Sequence, residues 1–253
     1  DPAEAADATF RAAQVIRKTG DAKSTEGAFQ RFVDKYGAAD SQSDKLVEAQ
    51  LRIGQARAAR GDQKGAERAY NECINSFASR GLKMGVAAAD FPSEAQFLLS
   101  EYALASLLEF KLKGKGKALA KSAFELFDRV VEASKSYDKV IPYRRLEWVL
   151  ASMYRKAYAF EITAVKMRKA PVPKQFRPYT EVWFAYKEEV EKGAQKFEEM
   201  ALPLYEETVK RGKEYGVANE WTRRARERLN IYKPEEYPLL HDPAVDLQLE
   251  DRR

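Results

Sequence analysis

The stretch "RGDQKGAERAYNEC" (60–73) decides the fold. It opens on Arg60-Gly61-Asp62, which is either an adhesion loop or the bend between two helices. Upstream, "KLVEAQLRIGQARAA" (45–59) places Leu46, Gln50, Ile53, Gly54 and Arg57 at spacings of three or four, as a helix with one packed edge does. Downstream, Ala66, Tyr70, Cys73 and Ile74 recur with the same period. Between them Gly61 can take the left-handed backbone conformation that ends one helix. Asp62 can then accept hydrogen bonds from the free amides that begin the next. The tripeptide reads as helix end, C-cap and N-cap, because an adhesion loop would have to protrude rather than join packed helices.

An earlier stretch repeats the pattern. In "TGDAKSTEGAFQRF" (19–32), Gly20-Asp21 precedes Phe29 and Phe32 at the distance by which Gly61-Asp62 precedes Tyr70 and Cys73. Gly61 follows Gly20 by 41 residues, and Tyr70 follows Phe29 by 41. Self-similarity at a fixed period marks a helical repeat.

These residues resemble the tetratricopeptide repeat. Ile53-Gly54, Gly61-Asp62, Ala66, Tyr70 and Cys73 stand where that family places Leu-Gly, Gly-Asp, Ala, an aromatic and a small residue. Ala12-Ala13, Gly20-Asp21, Phe29 and Phe32 match in the first repeat, with Thr25 in place of Ala. "AFQRFVDKYG" (28–37) is similar to the second helix of such repeats in bacterial envelope proteins. The family's period is about 34 residues, so the polar "AADSQSD" (38–44) reads as an insertion of about seven. The resemblance implies an all-α fold, an α-solenoid of antiparallel helix pairs.

The rest of the chain extends the series. After repeats at about 4–37 and 45–78, a third covers 93–136. Pro92 marks its start, and "KGKGK" stands where Gly-Asp would. Ala120, Phe124 and Phe127 repeat the Ala-aromatic-aromatic spacing. A helix over 142–169 follows, with Leu146, Val149, Met153, Ala157, Phe160 and Ala164 on one stripe. The prolines of "APVPKQFRP" (170–178) end it and give the best candidate for a break. Another helix, kinked or broken at Pro203, spans 180–215. The last, 217–230, sets Val217, Trp221, Ala225 and Leu229 against an arginine-rich face, as the cap of a solenoid requires. The expectation is one array of about nine helices over 1–232, then a tail over 233–253. Within that tail "YPLLHD" (237–242) lies extended against the helices and the acidic end frays.

Composition supports helices and argues against catalysis. Charged residues make up 33% and apolar residues 45%, with 13 Gly and 10 Pro, a balance that favours an all-α protein. No apolar run approaches the length of a membrane span. The first residues, "DPAEAADATF", lack an initiating Met and read as a processed start whose signal peptide or lipid anchor has gone. The net charge of +5 on a mixed-sign surface is not the footprint of a dedicated nucleic-acid binder. His241 is the single histidine, which rules out multi-His metal sites; in the proline-rich tail it reads as a surface or packing residue rather than as part of a Ser-His-Asp or Cys-His site. Cys73, the single cysteine, forms no intrachain disulfide and reads as a small core residue. "KGKGKALAKS" (113–122) is not a phosphate-binding loop. Glu188-Glu189, Glu198-Glu199 and Glu206-Glu207 read as solvated helix surface. No enzyme, cofactor or metal is expected.

The family's groove, which commonly takes an extended or helical peptide, lies on the first helix of each pair. Carried over by position, it comprises Asp7, Phe10, Gln14 and Arg17, then Glu48, Leu51, Arg52 and Gln55, then Tyr102, Ala105 and Glu109. Phe10 and Leu51 can equally pack between helices. Two acid-free basic stretches are candidates for contact with anionic lipid, an acidic partner or nucleic acid, although inter-helix loops are ordinarily just solvated. One holds Lys111, Lys113, Lys115, Lys117 and Lys121; the other holds Lys166, Arg168, Lys169, Lys174 and Arg177.

"EYGVANEWTRRARERLNIYKPEEYP" (214–238) is similar to the end of tetratricopeptide proteins of adventurous gliding motility in the myxobacterial envelope, through Glu220-Trp221-Thr222 and "PEEYP". That similarity implies a periplasmic or outer-membrane-anchored lipoprotein, a non-enzymatic adaptor for protein partners in a multiprotein complex. Alternatives are a factor for outer-membrane assembly or cell division, and a helical accessory binding anionic lipid or nucleic acid through its lysines. Oligomeric state is not readable.

Overall fold

The computed structural model describes residues 1–239, and among them the chain is all-helical, with nine α-helices and no strand. They are α1 (Pro2–Lys18), α2 (Ala22–Tyr36), α3 (Ser43–Ala59), α4 (Gln63–Ser79), α5 (Asp90–Glu109), α6 (Lys117–Asp138), α7 (Leu146–Arg168), α8 (Glu181–Glu214) and α9 (Glu220–Tyr232). The chain divides into two compact units. Unit 1 comprises Asp1–Lys111 and Ala120–Ser152; unit 2 comprises Leu112–Leu119 and the chain from Met153 on. The division at Ser152 falls inside α7 rather than at 170–178.

In unit 1 both Gly-Asp pairs lie at the bends read from the sequence. Gly20 and Gly61 each take φ 80°, where a side chain would be strained. Asp21 accepts from the amides of Lys23 and Ser24, at 3.3 and 2.9 Å, to begin α2. Asp62 accepts from Gly65 N at 2.9 Å to begin α4. The resulting pairs α1–α2 and α3–α4 pack internally and on each other through α2 and α3; α3 and α4 both continue onto α5. The inserted segment forms a single 3-10 turn at Asp40–Gln42.

The 41-residue echo extends to the core. Phe10, Phe29 and Phe32 form one buried cluster with edge-to-face ring contacts. Leu51, Tyr70 and Cys73, each 41 residues later, belong to the next cluster with Val47, Ala66 and Phe77. Gly54 lets Tyr70 close: a Cβ there would lie 2.4 Å from the Tyr70 ring. Burial pushes the Cys73 thiol well above its ordinary range. Phe10 at 4% and Leu51 at 0% exposure therefore serve the core and are withdrawn from the groove. Each of these side chains is worth about 1.5–3 kcal/mol buried rather than exposed, which decides in favour of packing.

In unit 2, α8 is not broken at Pro203 but runs unbroken through it. Pro203 is exposed, while Ala194, Ala201, Tyr205 and Thr208 are buried on one helical stripe. Packing on both sides of the proline offsets its missing hydrogen bond. Asn219 caps α9 by accepting from Trp221 N and Thr222 N, and Thr222 completes a reciprocal box. Ala225 and Leu229 face the interior. The carbonyls of Tyr237 and Pro238 are held on α9 by Asn230 and Arg226 at 3.0 Å each. His241, the remainder of "YPLLHD" and the acidic end lie outside the described residues.

Candidate partner-binding face

The face lies on α1, α3 and α5 of unit 1. Helical spacing sets Glu48, Arg52 and Gln55 along one side of α3, and neighbouring helices complete a chain of polar contacts. Gln14 on α1 donates to Glu48 at 3.5 Å. The Glu48 carboxylate stands 3.5 Å from Arg52 Nε. Arg52 Nη1 donates to Gln55 at 3.0 Å and stands 3.7 Å from Glu94 on α5. Gln55 in turn donates to Glu94 at 2.5 Å. The Arg52 guanidinium also lies over the Phe91 ring, 5.8 Å from its centroid.

This row is half-buried: the Arg52 and Glu48 side chains are each 15% exposed and Glu94 20%. Burial raises the Glu94 carboxyl above its ordinary range, and the nearby Arg52 charge opposes that rise. One guanidinium thus stands between two carboxylates in this row. Gln14 and Gln55 can hydrogen-bond an extended main chain. Asp7 lies further along α1, paired with Lys45 of α3, and this contact holds its carboxyl below the usual range.

The structure thus brings together Gln14, Glu48, Arg52 and Gln55, with Asp7 beside Lys45. Arg17 is exposed near the end of α1. Tyr102, Ala105 and Glu109 do not join the row. They line a separate depression of about 370 Å³ with Gln63 of α4 and Arg129 of α6. Tyr102 packs partly against the second core cluster. Glu94 was missed by position; its signal is an isolated carboxylate in the first turns of the apolar "FPSEAQFLL".

The basic residues differ among themselves. Lys111, Lys115, Lys117 and Lys121 are exposed, as is Lys113, which has an interaction of its own. In unit 2 Lys166 is likewise engaged. Arg168 is not an anion site. It donates to both Glu191 oxygens, at 2.8–3.3 Å, and to both Glu198 oxygens, at 2.5 and 2.8 Å. The guanidinium holds both carboxyls below their usual range, so Glu198 is a clamp partner rather than solvated surface. Lys169, Lys174 and Arg177 remain exposed.

A second polar network in unit 2 has no counterpart in the sequence reading. Glu161, buried within α7, accepts from Tyr205 at 2.8 Å and Tyr232 at 3.2 Å, and Arg228 stands 3.5 Å away. Tyr232 also donates to Glu198 at 3.2 Å. This network ties α7, α8 and α9 together and is closed on itself, so it reads as structural. Among the described residues no cluster of His, Cys, Asp or Glu could hold a metal ion, and no helix is long and apolar enough to cross a membrane.

Comparison with protein-family models, with curated proteins and with solved structures finds no match for the chain.

Proposed function

We propose that the chain is a tetratricopeptide-type α-solenoid that serves as a non-enzymatic adaptor. On this reading it binds an extended segment of a partner protein along α1, α3 and α5 within a bacterial envelope complex, such as a gliding-motility machinery. The observation that carries the reading is the polar row from Gln14 through Glu48, Arg52 and Gln55 to Glu94, laid across first helices of successive pairs. The matching cores beneath, offset by 41 residues, support the repeat.

The test uses Gln14→Ala with Gln55→Ala. Arg52 is kept, because removing it would strand two half-buried carboxylates and confound binding with stability. Proximity labelling with the wild-type chain in its bacterium names the envelope polypeptide to be assayed. The double variant is expected to capture that polypeptide at least tenfold more weakly while still fully folded at the assay temperature, the loss of the Gln14 and Gln55 hydrogen bonds lowering its melting temperature only modestly. Unchanged capture would reject the face.

A further inference from the structure

We propose that Lys169–Lys187 in unit 2 is a docking patch for the headgroup region of an anionic bilayer. The patch is independent of the α1/α3/α5 face. It joins the link after α7 to the first two turns of α8, and its side chains are of two kinds. Tyr179 is 82% exposed, and Val182 and Phe184 are 55% exposed each. Tyr179 lies tilted against Trp183 at 5.7 Å, and Trp183 meets Phe184 edge-on at 5.0 Å. The second kind is cationic: Lys169, Lys174 and Arg177 are exposed. No acid occurs between Glu161 and Glu181, and Lys187 lies over the Trp183 ring at 5.9 Å.

The patch is held in place rather than loose. Tyr179 adopts φ 64°, a left-handed conformation that costs a non-glycine residue strain. Thr180 fixes the turn by donating through its hydroxyl to Arg177 O at 2.7 Å, and it caps α8 at Trp183 N at 3.4 Å. Tyr186 donates to Pro171 O at 3.3 Å and packs on Phe176 at 5.5 Å. The fold therefore spends strain and hydrogen bonds on a segment that exposes Tyr179, Val182 and Phe184 and, in the link just before them, Lys169, Lys174 and Arg177.

A bilayer interface satisfies both kinds at once. Anionic headgroups pair with Lys and Arg, and Trp and Tyr rings settle at headgroup depth with apolar neighbours beneath. A nucleic acid would take the cations and stack on the rings but leave the aliphatic Val182 in water.

The experiment is co-flotation of the full chain with phosphatidylcholine vesicles, with and without phosphatidylglycerol, at low and high salt. Binding is expected only with phosphatidylglycerol and is expected to fall with salt. Lys174→Gln with Arg177→Gln should weaken it roughly 20- to 30-fold, from about 1 kcal/mol per cation at 1.4 kcal/mol per decade. Tyr179→Ser with Phe184→Ser should abolish it while melting stays unchanged. Brominated acyl chains should quench wild-type tryptophan fluorescence, and Trp183→Phe should remove the quenching although Trp148 and Trp221 remain. Any of three results would overturn the proposal: no flotation at low salt, flotation or quenching indifferent to these substitutions, or a lipid-free dimer that Tyr179→Ser with Phe184→Ser dissolves. Tight binding of a single-stranded oligonucleotide without vesicle binding would reassign the patch to nucleic acid and likewise overturn it.

Discussion

Replacing Gly54 by Ala tests the close packing of α3 on α4. The added Cβ would stand 2.4 and 2.5 Å from two carbons of the Tyr70 ring, about an ångström inside ordinary contact. Tyr70 is 2% exposed within its cluster, so the ring has no open space to enter. Overpacking of this kind costs about 1–3 kcal/mol. The helix regains about 1 kcal/mol because Ala replaces Gly in its interior. The net expectation is a loss of up to about 2 kcal/mol, or up to about 8 °C in melting temperature for a unit of this size. Two controls fix the cause. Gly27→Ala in α2 meets only Arg31 Nη1, at 3.7 Å, and should stabilise by about 0.5–1 kcal/mol. In a Tyr70→Leu background the clash is gone, and Gly54→Ala should turn from destabilising to mildly stabilising. Thermal and urea melts followed by circular dichroism read all of these. If Gly54→Ala stabilises the wild type as much as Gly27→Ala does, the close approach of α3 and α4 is wrong.

Further expectations concern charge and burial. Glu94 has a raised carboxyl pKa against an ordinary 4.5, so its ionisation opposes folding, and stability from its neutral form is lost as pH rises above about 4.5. Glu94→Gln should therefore raise the melting temperature at pH 7, with the gain shrinking towards zero as pH falls to about 4.5. A gain independent of pH would refute the assignment. Tyr205→Phe removes a buried donor to Glu161 at 2.8 Å and should cost about 1.5–3 kcal/mol, the range for hydrogen bonds to charged groups. An unchanged urea midpoint would show that the network is dispensable. The Cys73 thiol, buried with its pKa raised, should react with a disulfide reagent only after denaturant unfolds unit 1, and rapid labelling of the native chain would contradict its place in the core.

Much of the helical layout could be read from local signals. Gly20-Asp21 and Gly61-Asp62 carry their own stop and start chemistry, and Pro92 marks the beginning of α5, so these helix ends needed no tertiary information. The groove was only partly legible. A spacing of three or four identifies an apolar edge, yet α3 packs against α2, α4 and α5, and spacing alone does not say which neighbour claims Leu51. Phe10 and Leu51 are related by the same 41-residue offset and both apolar, which in hindsight marks them as core. Partners distant in sequence left no trace: Arg168 lies 23 and 30 residues from Glu191 and Glu198, and Tyr232 lies 71 from Glu161. Pro203 does not break α8, because packing on both sides of it holds the helix.

The claim that a partner polypeptide runs along α1, α3 and α5 is tested most directly by site-specific photocrosslinking in the native cell. A crosslinkable residue at Gln14 or Gln55 should trap one and the same polypeptide, while one at exposed Asn71 or Lys64 of α4 should not. Equal trapping from α4, or none from Gln14 and Gln55, would contradict it.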